Sequence, residues 1–310
     1  MLVTMNEVLR DAKKGHYAVG LFNAVTMELA QGIIAAAEET GSPVIFGTAE
    51  VLLPYNSLED LAMILVPMAK RASVPVVVHL DHGLHKETCL QALELGFSSI
   101  MYDCSLDSYE DNCRKVKEMA DIAHSYGASI EGEIGHIGGA EGAATAEQQE
   151  DASKYYTTPE EAKDFVDKTG VDALAIAVGT AHGAYKLPPK LDFDRIRKIA
   201  NTVDTPLVLH GGSGLTDDDF RKAIEAGISK VNIFTDINVS AVEAALRHFT
   251  EMNKGIIDLL PSVRNAVQKS VMEKMRLFGC CNKGRRASGD YTAAIVKQIV
   301  EQVLKEYKVL

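Results

Sequence analysis

Short apolar runs alternate with amphipathic stretches along the chain, and the alternation recurs eight times. The run Val-Val-Val-His-Leu-Asp-His-Gly at 76–83 is rich in β-branched residues, which is typical of a strand buried on both faces. The stretches between the runs have helical periodicity, and one begins at Ser57, where Asp60 three residues on gives the spacing of a capping box. The predicted strands cover residues 17–23, 43–48, 74–81, 98–103, 128–133, 172–179, 206–210 and 230–234.

Eight strands alternating with helices predict an α/β fold, a (β/α)8 TIM barrel formed as a single domain by residues 1–310. The competing fold is an open, doubly wound sheet. That fold would carry a glycine fingerprint after strand one, and Gly-Leu-Phe-Asn at 20–23 is not one.

Three segments fall outside this repeat. Residues 5–14 predict a short lid or plug helix. Residues 134–156 form a long, polar, Gly- and Ala-rich stretch, which predicts a mobile lid loop. Residues 237–310 predict a C-terminal helical extension, packed on the barrel or on a neighbouring subunit, with helices near 237–252, 262–278 and 290–304.

The composition narrows the choice of partners and compartment. A net charge of −11 argues against binding to nucleic acid or to an anionic membrane. The five cysteines are odd in number and lack CxxC spacing, so we expect reduced thiols. The first residues do not form a signal-peptide pattern, and no apolar run is long enough to span a bilayer. We therefore predict a cytoplasmic protein without a nucleic-acid or membrane partner.

Polar residues collect where the predicted strands end. In a barrel of this type the active site forms at the C-terminal ends of the strands. Three of these residues are histidines, and three imidazoles at one barrel mouth predict a divalent metal site, zinc by preference. His79 lies inside strand three and is expected to be buried and hydrogen-bonded instead. The strand-end residues are Asn23, Asp81, His82, Asp103, Glu133, His182, His210 and the segment 232–236.

Glycine and hydroxyl side chains follow strands seven and eight. Gly211, Gly212, Ser213 and Gly214 connect strand seven to a helix, and residues 232–235 close strand eight. Glycines let backbone amides converge on an anion, and these two loops form the usual phosphate site of a barrel. The sequence therefore predicts a phosphate site here, with Lys186 at the mouth as a further phosphate contact.

Glu141 lies in the predicted lid, after the glycines at 138 and 139. A carboxylate on a mobile loop suits a base that is needed only when substrate is bound. The alternative interpretation of Glu141 is a solvated loop glutamate, and the residues alone leave both open.

Four motifs in this order resemble one known family. They are His-Leu-Asp-His-Gly at 79–83, Gly-Thr-Ala-His-Gly at 179–183, Leu-His-Gly-Gly-Ser-Gly at 209–214 and Lys-Val-Asn-Ile-Phe-Thr-Asp at 230–236. Together they resemble the class II, zinc-dependent ketose-bisphosphate aldolases, which include the fructose-1,6- and tagatose-1,6-bisphosphate enzymes. The resemblance runs from about Asn6 to Lys283, where Leu-Phe-Gly-Cys-Cys-Asn-Lys is similar to the family's closing segment.

The resemblance implies a role for most of these positions. It implies Zn²⁺ on His82, His182 and His210, with Asp103 and Glu133 near alternative metal positions. Asp81 would be the acid/base at the C4 hydroxyl, and Glu141 would abstract a proton from dihydroxyacetone phosphate. A monovalent cation, Na⁺ or K⁺, and a homodimer or homotetramer are also expected. The implied binding residues for the phosphorylated ketose are Asn23, Gly183, Lys186, Gly211, Gly212, Ser213, Asn232, Ile233, Phe234 and Thr235.

The implied reaction is the reversible retro-aldol cleavage of a ketose 1,6-bisphosphate to dihydroxyacetone phosphate and an aldehyde such as glyceraldehyde 3-phosphate. Its chemistry needs a base at the C4 hydroxyl and a Lewis acid for the charge that develops on the ketose oxygens. A Schiff-base aldolase would instead need a desolvated lysine within a strand. Strand six has none, and Lys230 is predicted to open strand eight at the end away from the site.

Some positions depart from the family pattern. Phe234 stands where fructose-type members carry Asp and tagatose-type members a small residue, and Ala140 and Gly142 flank Glu141 in place of acidic neighbours. Residues 102–105 also differ from the usual Asp-Gly-Ser, which leaves the second phosphate site unassigned. The alternatives are a class II aldolase for another phosphorylated ketose and a sugar-phosphate-binding barrel that has lost catalysis. A zinc hydrolase would typically need a His-x-His pair on strand one, which this chain lacks.

Overall fold

A computed structural model describes residues 1–135, 137, 156–181, 189–251 and 255–284 of the chain. Eight parallel strands pair in chain order and form a closed barrel, in which the first strand also pairs with the eighth. The predicted (β/α)8 TIM barrel is therefore confirmed. The strands are β1 (Val19–Asn23), β2 (Val44–Ala49), β3 (Val76–Gly83), β4 (Ser99–Tyr102), β5 (Ser129–Ile134), β6 (Ala173–Ile176), β7 (Leu207–Leu209) and β8 (Ile228–Ile233).

Helices follow the strands, several begin at a capping side chain, and the predicted helix start at Ser57 is confirmed. The Ser57 side chain accepts a hydrogen bond from the Asp60 amide, and Thr158 forms a capping box with Glu161 ahead of Pro159. The helices are α1 (Met5–Gly15), α2 (Met27–Thr40), α3 (Leu58–Arg71), α4 (Lys86–Glu94), α5 (Tyr109–Ser125), α6 (Pro159–Thr169), α7 (Phe193–Thr202), α8 (Asp217–Ala226), α9 (Thr235–Glu251) and α10 (Ile256–Leu277).

Helix α1 covers the N-terminal end of the barrel, as the sequence predicted for a plug helix. Met5 and Leu9 are fully buried. The Met5 sulfur lies 3.7 Å from the Ser99 hydroxyl at the start of β4, and the Asn6 amide donates to the Ser129 hydroxyl at 3.0 Å. Because this end is closed, the C-terminal ends of the strands form the mouth of the barrel.

Helix α10 completes the ring of helices between α8 and α2. A Cβ atom added at Gly32 would lie 2.8 Å from the Arg264 carbonyl oxygen, so only glycine allows α2 and α10 to approach this closely. On the other side the Phe220 and Phe278 rings lie 5.3 Å apart. The predicted helical extension is thus confirmed as far as Leu277, since α9 and α10 correspond to the helices predicted near 237–252 and 262–278. The helix predicted near 290–304 lies outside the described residues.

The observed strand ends differ from the predicted ones by at most three residues, and two of the differences bear on the site. Strand β5 continues through Ile134, one residue into the predicted lid, and residues 138–155 of that lid lie outside the described residues. Strand β8 begins at Ile228, so Lys230 is an internal strand residue and is fully buried. The prediction that Lys230 opens the strand was wrong, because a lysine within an apolar run resembles a strand end. None of the described helices combines the length and apolarity needed to cross a membrane.

Candidate active site

The end of β3 brings two consecutive side chains to the mouth of the barrel. Successive residues of a regular strand point to opposite faces. Here the register with β4 shifts between Leu80 and Gly83, and His82 adopts a φ of 43°, which is uncommon for a residue other than glycine. As a result Asp81 and His82 both face His210, and the three side chains form a group that could hold a metal ion.

His82 and His210 face each other through one nitrogen each. His82 Nε2 lies 2.8 Å from His210 Nδ1. The remaining nitrogens donate to carboxylates, His82 Nδ1 to Asp103 at 2.7 Å and His210 Nε2 to Glu131 at 2.8 Å. A carboxylate on the far nitrogen fixes the ring orientation and leaves the facing nitrogen for a metal ion.

Buried charge controls the protonation of the pair. Burial lowers the pKa of His82, but the carboxylates of Asp81, Asp103 and Glu133 outweigh it and raise the pKa to about 10. A proton on His82 Nε2, shared with His210 Nδ1, accounts for the short distance between the rings. The same position suits a divalent cation, which would displace that proton. Imidazole nitrogens that face one point in this way are donors that fit zinc.

A second possible metal group comprises His82, Asp103 and Glu133. Glu133 is 2% exposed, and its Oε2 has no hydrogen-bond partner among the described residues, which fits an oxygen that a cation could take. Burial, followed by the charge of Asp103, raises the pKa of Glu133 well above its ordinary value. Burial also raises the pKa of Asp103, but hydrogen bonds from His82 and Ser105 hold it well below the usual range. The predicted role of Asp103 and Glu133 near alternative metal positions stays a prediction.

Asp81 is fully buried and accepts hydrogen bonds from two amides. Asn232 Nδ2 donates to Oδ1 at 2.9 Å, and Asn23 Nδ2 donates to Oδ2 at 3.4 Å. Burial raises the pKa of Asp81, but the surrounding His82, His210 and Lys230 charges lower it below the ordinary value. Asp81 is therefore an ionised carboxylate at the barrel mouth that can accept a proton.

The loops after β6, β7 and β8 contact one another directly. Gly211 has a φ of 64°, and a Cβ atom there would lie 2.3 Å from the Ala181 carbonyl oxygen, so the backbone approaches too closely for any side chain. The Phe234 amide donates to the Ser213 hydroxyl at 3.3 Å. Gly212, Ile233 and Phe234 are buried, and Thr235 begins α9. The predicted phosphate-binding residues of these two loops thus lie together.

The remaining predicted residues fall outside the described part of the chain. Glu141, His182, Gly183 and Lys186 lie there, so their assignments stay predictions. His79, by contrast, is fully buried with its Nδ1 2.8 Å from the Ser99 hydroxyl, as expected.

Two buried residues next to the site were not assigned a role from the sequence. Glu131 Oε2 lies 2.9 Å from Lys230 Nζ, and both side chains are fully buried. Lys230 is a desolvated lysine within a strand, so the prediction that no strand supplies such a lysine at the site was wrong. Its Nζ contacts Glu131 and Asn232. Glu131 could have been found from its spacing, because Glu131 and Glu133 alternate along a buried strand and so point to the same face.

Comparison with known proteins places the chain among aldolases. The family model for class-II fructose-bisphosphate aldolase matches residues 3–283. The sulfofructosephosphate aldolase of Alkalicoccus urumqiensis is 40% identical over 281 residues, which cover 90% of this chain and 96% of the relative. The fructose-bisphosphate aldolase of Geobacillus stearothermophilus is 38% identical over 288 residues, which cover 91% and 98%. The crystal structure of the YdjI aldolase from Escherichia coli K12 matches with a TM-score of 0.82 at 36% identity, covering 92% of this chain and 100% of that one.

Proposed function

This chain belongs to the class-II fructose-bisphosphate aldolase family, and on that premise we propose that it is a zinc-dependent aldolase for a phosphorylated ketose. The proposed reaction is the reversible cleavage of a fructose- or tagatose-type 1,6-bisphosphate to dihydroxyacetone phosphate and an aldehyde such as glyceraldehyde 3-phosphate. The observation that carries the proposal is the group of Asp81, His82 and His210, in which an ionised carboxylate adjoins two facing imidazole nitrogens.

Asp81 is the proposed base for carbon–carbon cleavage. Its carboxylate removes the proton of the C4 hydroxyl, the C3–C4 bond breaks, and its electron pair moves toward the C2 carbonyl. The amides of Asn23 and Asn232 orient Asp81 through hydrogen bonds to its two oxygens. Glu141 is the proposed acid that then protonates C3 of the ketose fragment, and it removes that proton in the condensation direction.

His82 and His210, together with His182, are the proposed zinc ligands. The bound ion would act as a Lewis acid for the negative charge that develops on the ketose oxygens. Asp103 and Glu131 hold the His82 and His210 rings in the orientation that presents one nitrogen each. His182→Ala is expected to lose zinc, and an unchanged zinc content would contradict the assignment.

The loops after β6, β7 and β8 are the proposed binding site for the ketose phosphate. Backbone amides and hydroxyl groups would donate to the phosphate, and a monovalent cation, Na⁺ or K⁺, is proposed near the Gly183 and Gly211 carbonyls. The proposed contacts are Asn23, Gly183, Lys186, Gly211, Gly212, Ser213, Asn232, Ile233, Phe234 and Thr235.

Phe234 supports a second candidate, a class II aldolase for another phosphorylated ketose. This aromatic side chain is 7% exposed and stands where fructose-type members carry a carboxylate. A relative at 40% identity is a sulfofructosephosphate aldolase, so substrates beyond the two bisphosphates occur among similar chains.

A substrate panel tests the proposed function. Zinc-loaded protein is incubated with fructose 1,6-bisphosphate, tagatose 1,6-bisphosphate and other phosphorylated ketoses. Release of dihydroxyacetone phosphate is followed with and without a chelator. We expect chelator-sensitive release from at least one ketose. Absence of cleavage across the panel with zinc restored would refute the proposal and favour a non-catalytic sugar-phosphate-binding barrel.

We also propose that the protein assembles as a homodimer or homotetramer through an apolar surface on α9 and α10. Seven large apolar side chains on this surface are between 37% and 81% exposed. Large apolar side chains exposed to this extent on neighbouring helices are typical of a surface that contacts a partner. The residues of this surface, which we call the α9/α10 stripe, are Val239, Val242, Leu246, Phe249, Ile256, Ile257 and Leu260.

The proposed compartment is the cytoplasm. All five cysteines are free, and four of them are buried. Reduced thiols of this kind are typical of proteins kept in a reducing compartment, which supports the proposal.

A further inference from the structure

A buried chain of contacts joins the proposed metal site to the proposed base. Glu131 lies 2.8 Å from His210 through Oε1 and 2.9 Å from Lys230 through Oε2. Lys230 Nζ donates to Asn232 Oδ1 at 2.7 Å, and Asn232 Nδ2 donates to Asp81 at 2.9 Å. Lys230 is therefore the one side chain in this chain of contacts that touches both the support of the metal ligand and the support of the base.

We propose that Lys230 is a positioning residue, which fixes the Asn232 amide toward Asp81 and the Glu131 carboxylate toward His210. The inference rests on the proposed function, since it assigns Lys230 to the same site. Lys230 acts through its neighbours and does not itself touch substrate.

The contact with Lys230 fixes the orientation of the Asn232 side chain. Its side-chain amide has an accepting oxygen and a donating nitrogen that could exchange places by a rotation of the group. The ammonium of Lys230 only donates, so Oδ1 must face Nζ and the NH2 group must face Asp81. Without the ammonium, the amide could turn its oxygen toward the Asp81 carboxylate, where two acceptors would repel each other.

The contact with Lys230 also holds the Glu131 carboxylate in place. Its two oxygens are divided between Lys230 and His210, and both Glu131 and Lys230 are fully buried. Removing one member of a buried ion pair leaves an uncompensated charge in the protein interior, which is strongly unfavourable. Glu131 would then move away from its present position, and it would hold the His210 ring less firmly for metal binding.

Lys230→Met tests the contacts with Asn232 and Glu131 together, because methionine preserves much of the length of the side chain and removes the charge. We expect zinc affinity, measured by competition with a fluorescent chelator, to fall by roughly 10–100-fold. We also expect kcat at saturating zinc to fall by roughly 10–100-fold, with a smaller change in KM, because Asn232 donates directly to the base but is only one of ten proposed substrate contacts. Wild-type zinc affinity together with wild-type kcat would overturn the inference.

The double variant Lys230→Met/Glu131→Gln distinguishes positioning from simple charge compensation, and it serves also if Lys230→Met does not fold. The neutral pair leaves no uncompensated charge, so thermal stability should recover toward that of the wild type. We expect kcat to stay low, because nothing then fixes the Asn232 amide. Recovery of kcat together with stability would show that Lys230 only balances Glu131, and would overturn the inference.

Failure of the proposed function gives a different pattern. If wild-type protein cleaves no ketose phosphate, the reaction assignment fails, but the zinc affinities of wild type and Lys230→Met remain measurable. A loss of affinity in that variant would still support the inference that Lys230 positions Glu131 toward His210, and equal affinities would overturn it.

Discussion

His82 lies at the centre of the candidate site, in contact with His210 and Asp103. Its strained backbone turns the ring toward His210, and Asp103 holds the opposite nitrogen. Strain of this kind costs roughly 1–3 kcal/mol and persists where the surrounding structure enforces it. The adjacent Asp81 stays ionised although it is fully buried, because the cationic groups around it lower its pKa.

Replacing Asp81 with asparagine is expected to remove the base and leave the metal site in place. The amide has nearly the same shape but cannot accept the C4 hydroxyl proton, so kcat should fall roughly 10²–10⁴-fold while zinc stays bound. Steady-state kinetics and zinc analysis measure the two effects. Asp107→Asn is the matched control, because Asp107 pairs with Lys115 on the surface. Retained kcat in Asp81→Asn would contradict the assignment.

Zinc binding at neutral pH is expected to release about one proton per ion. A pKa of about 10 means that His82 is protonated below that pH, and a metal ligand must be neutral. The release should therefore be close to complete at pH 7.5 and should decline as the pH rises through 10. Calorimetry in buffers of different ionisation enthalpy measures it. His124→Gln, at a partly exposed position, should behave as wild type. Proton release that is absent at pH 7.5 would count against the deduced protonation of His82.

At the scale of elements, the sequence was sufficient for the order of the strands and helices in the barrel, but it did not reveal which buried side chains pair in the interior. Buried apolar runs and capping residues predict β3 and α3 because local preference and burial agree there. The role of Lys230 could not be predicted, because pairing with Glu131 depends on strands that lie far apart along the chain. The shared orientation of Asp81 and His82 depends on a register shift with β4, which sequence alternation does not report.

Gly211→Ala tests how the loop after β7 is built. The added methyl would combine a left-handed backbone with a contact of 2.3 Å to the Ala181 carbonyl oxygen. We expect a rise in KM for the ketose phosphate of at least about tenfold and a loss of stability above the roughly 1–3 kcal/mol of backbone strain alone. Gly127→Ala is the control, since its φ is 72° but no atom lies within 4 Å. Equal behaviour of the two variants in kinetics and thermal unfolding would argue against the close approach.

At the scale of the whole molecule, the barrel is closed at one end by α1 and surrounded by helices, with α10 in the last position of the ring. Helix α9 is additional to this ring, and together with the start of α10 it carries the α9/α10 stripe. The family match ends at residue 283, just after α10, so both helices belong to the part of the chain that is shared with the known aldolases.

A charge introduced into the α9/α10 stripe should change the oligomeric state. Leu246 is 61% exposed. Leu246→Glu would place a carboxylate in the proposed interface, where the contact between copies would remove its water and offer no cation to pair with it, which is unfavourable. We expect light scattering after size exclusion to show a smaller assembly than for the wild type. Leu106→Glu, at a position 81% exposed and outside the stripe, is the control. An unchanged molar mass for Leu246→Glu would exclude this surface as the contact between copies.

Zinc titration of chelator-stripped protein tests the central claim most directly. The account predicts no cleavage of a substrate ketose phosphate without metal, and a linear return of dihydroxyacetone phosphate release that ends at one Zn²⁺ per chain. Cleavage that persists in the stripped protein, with borohydride trapping the substrate on Lys230, would contradict it.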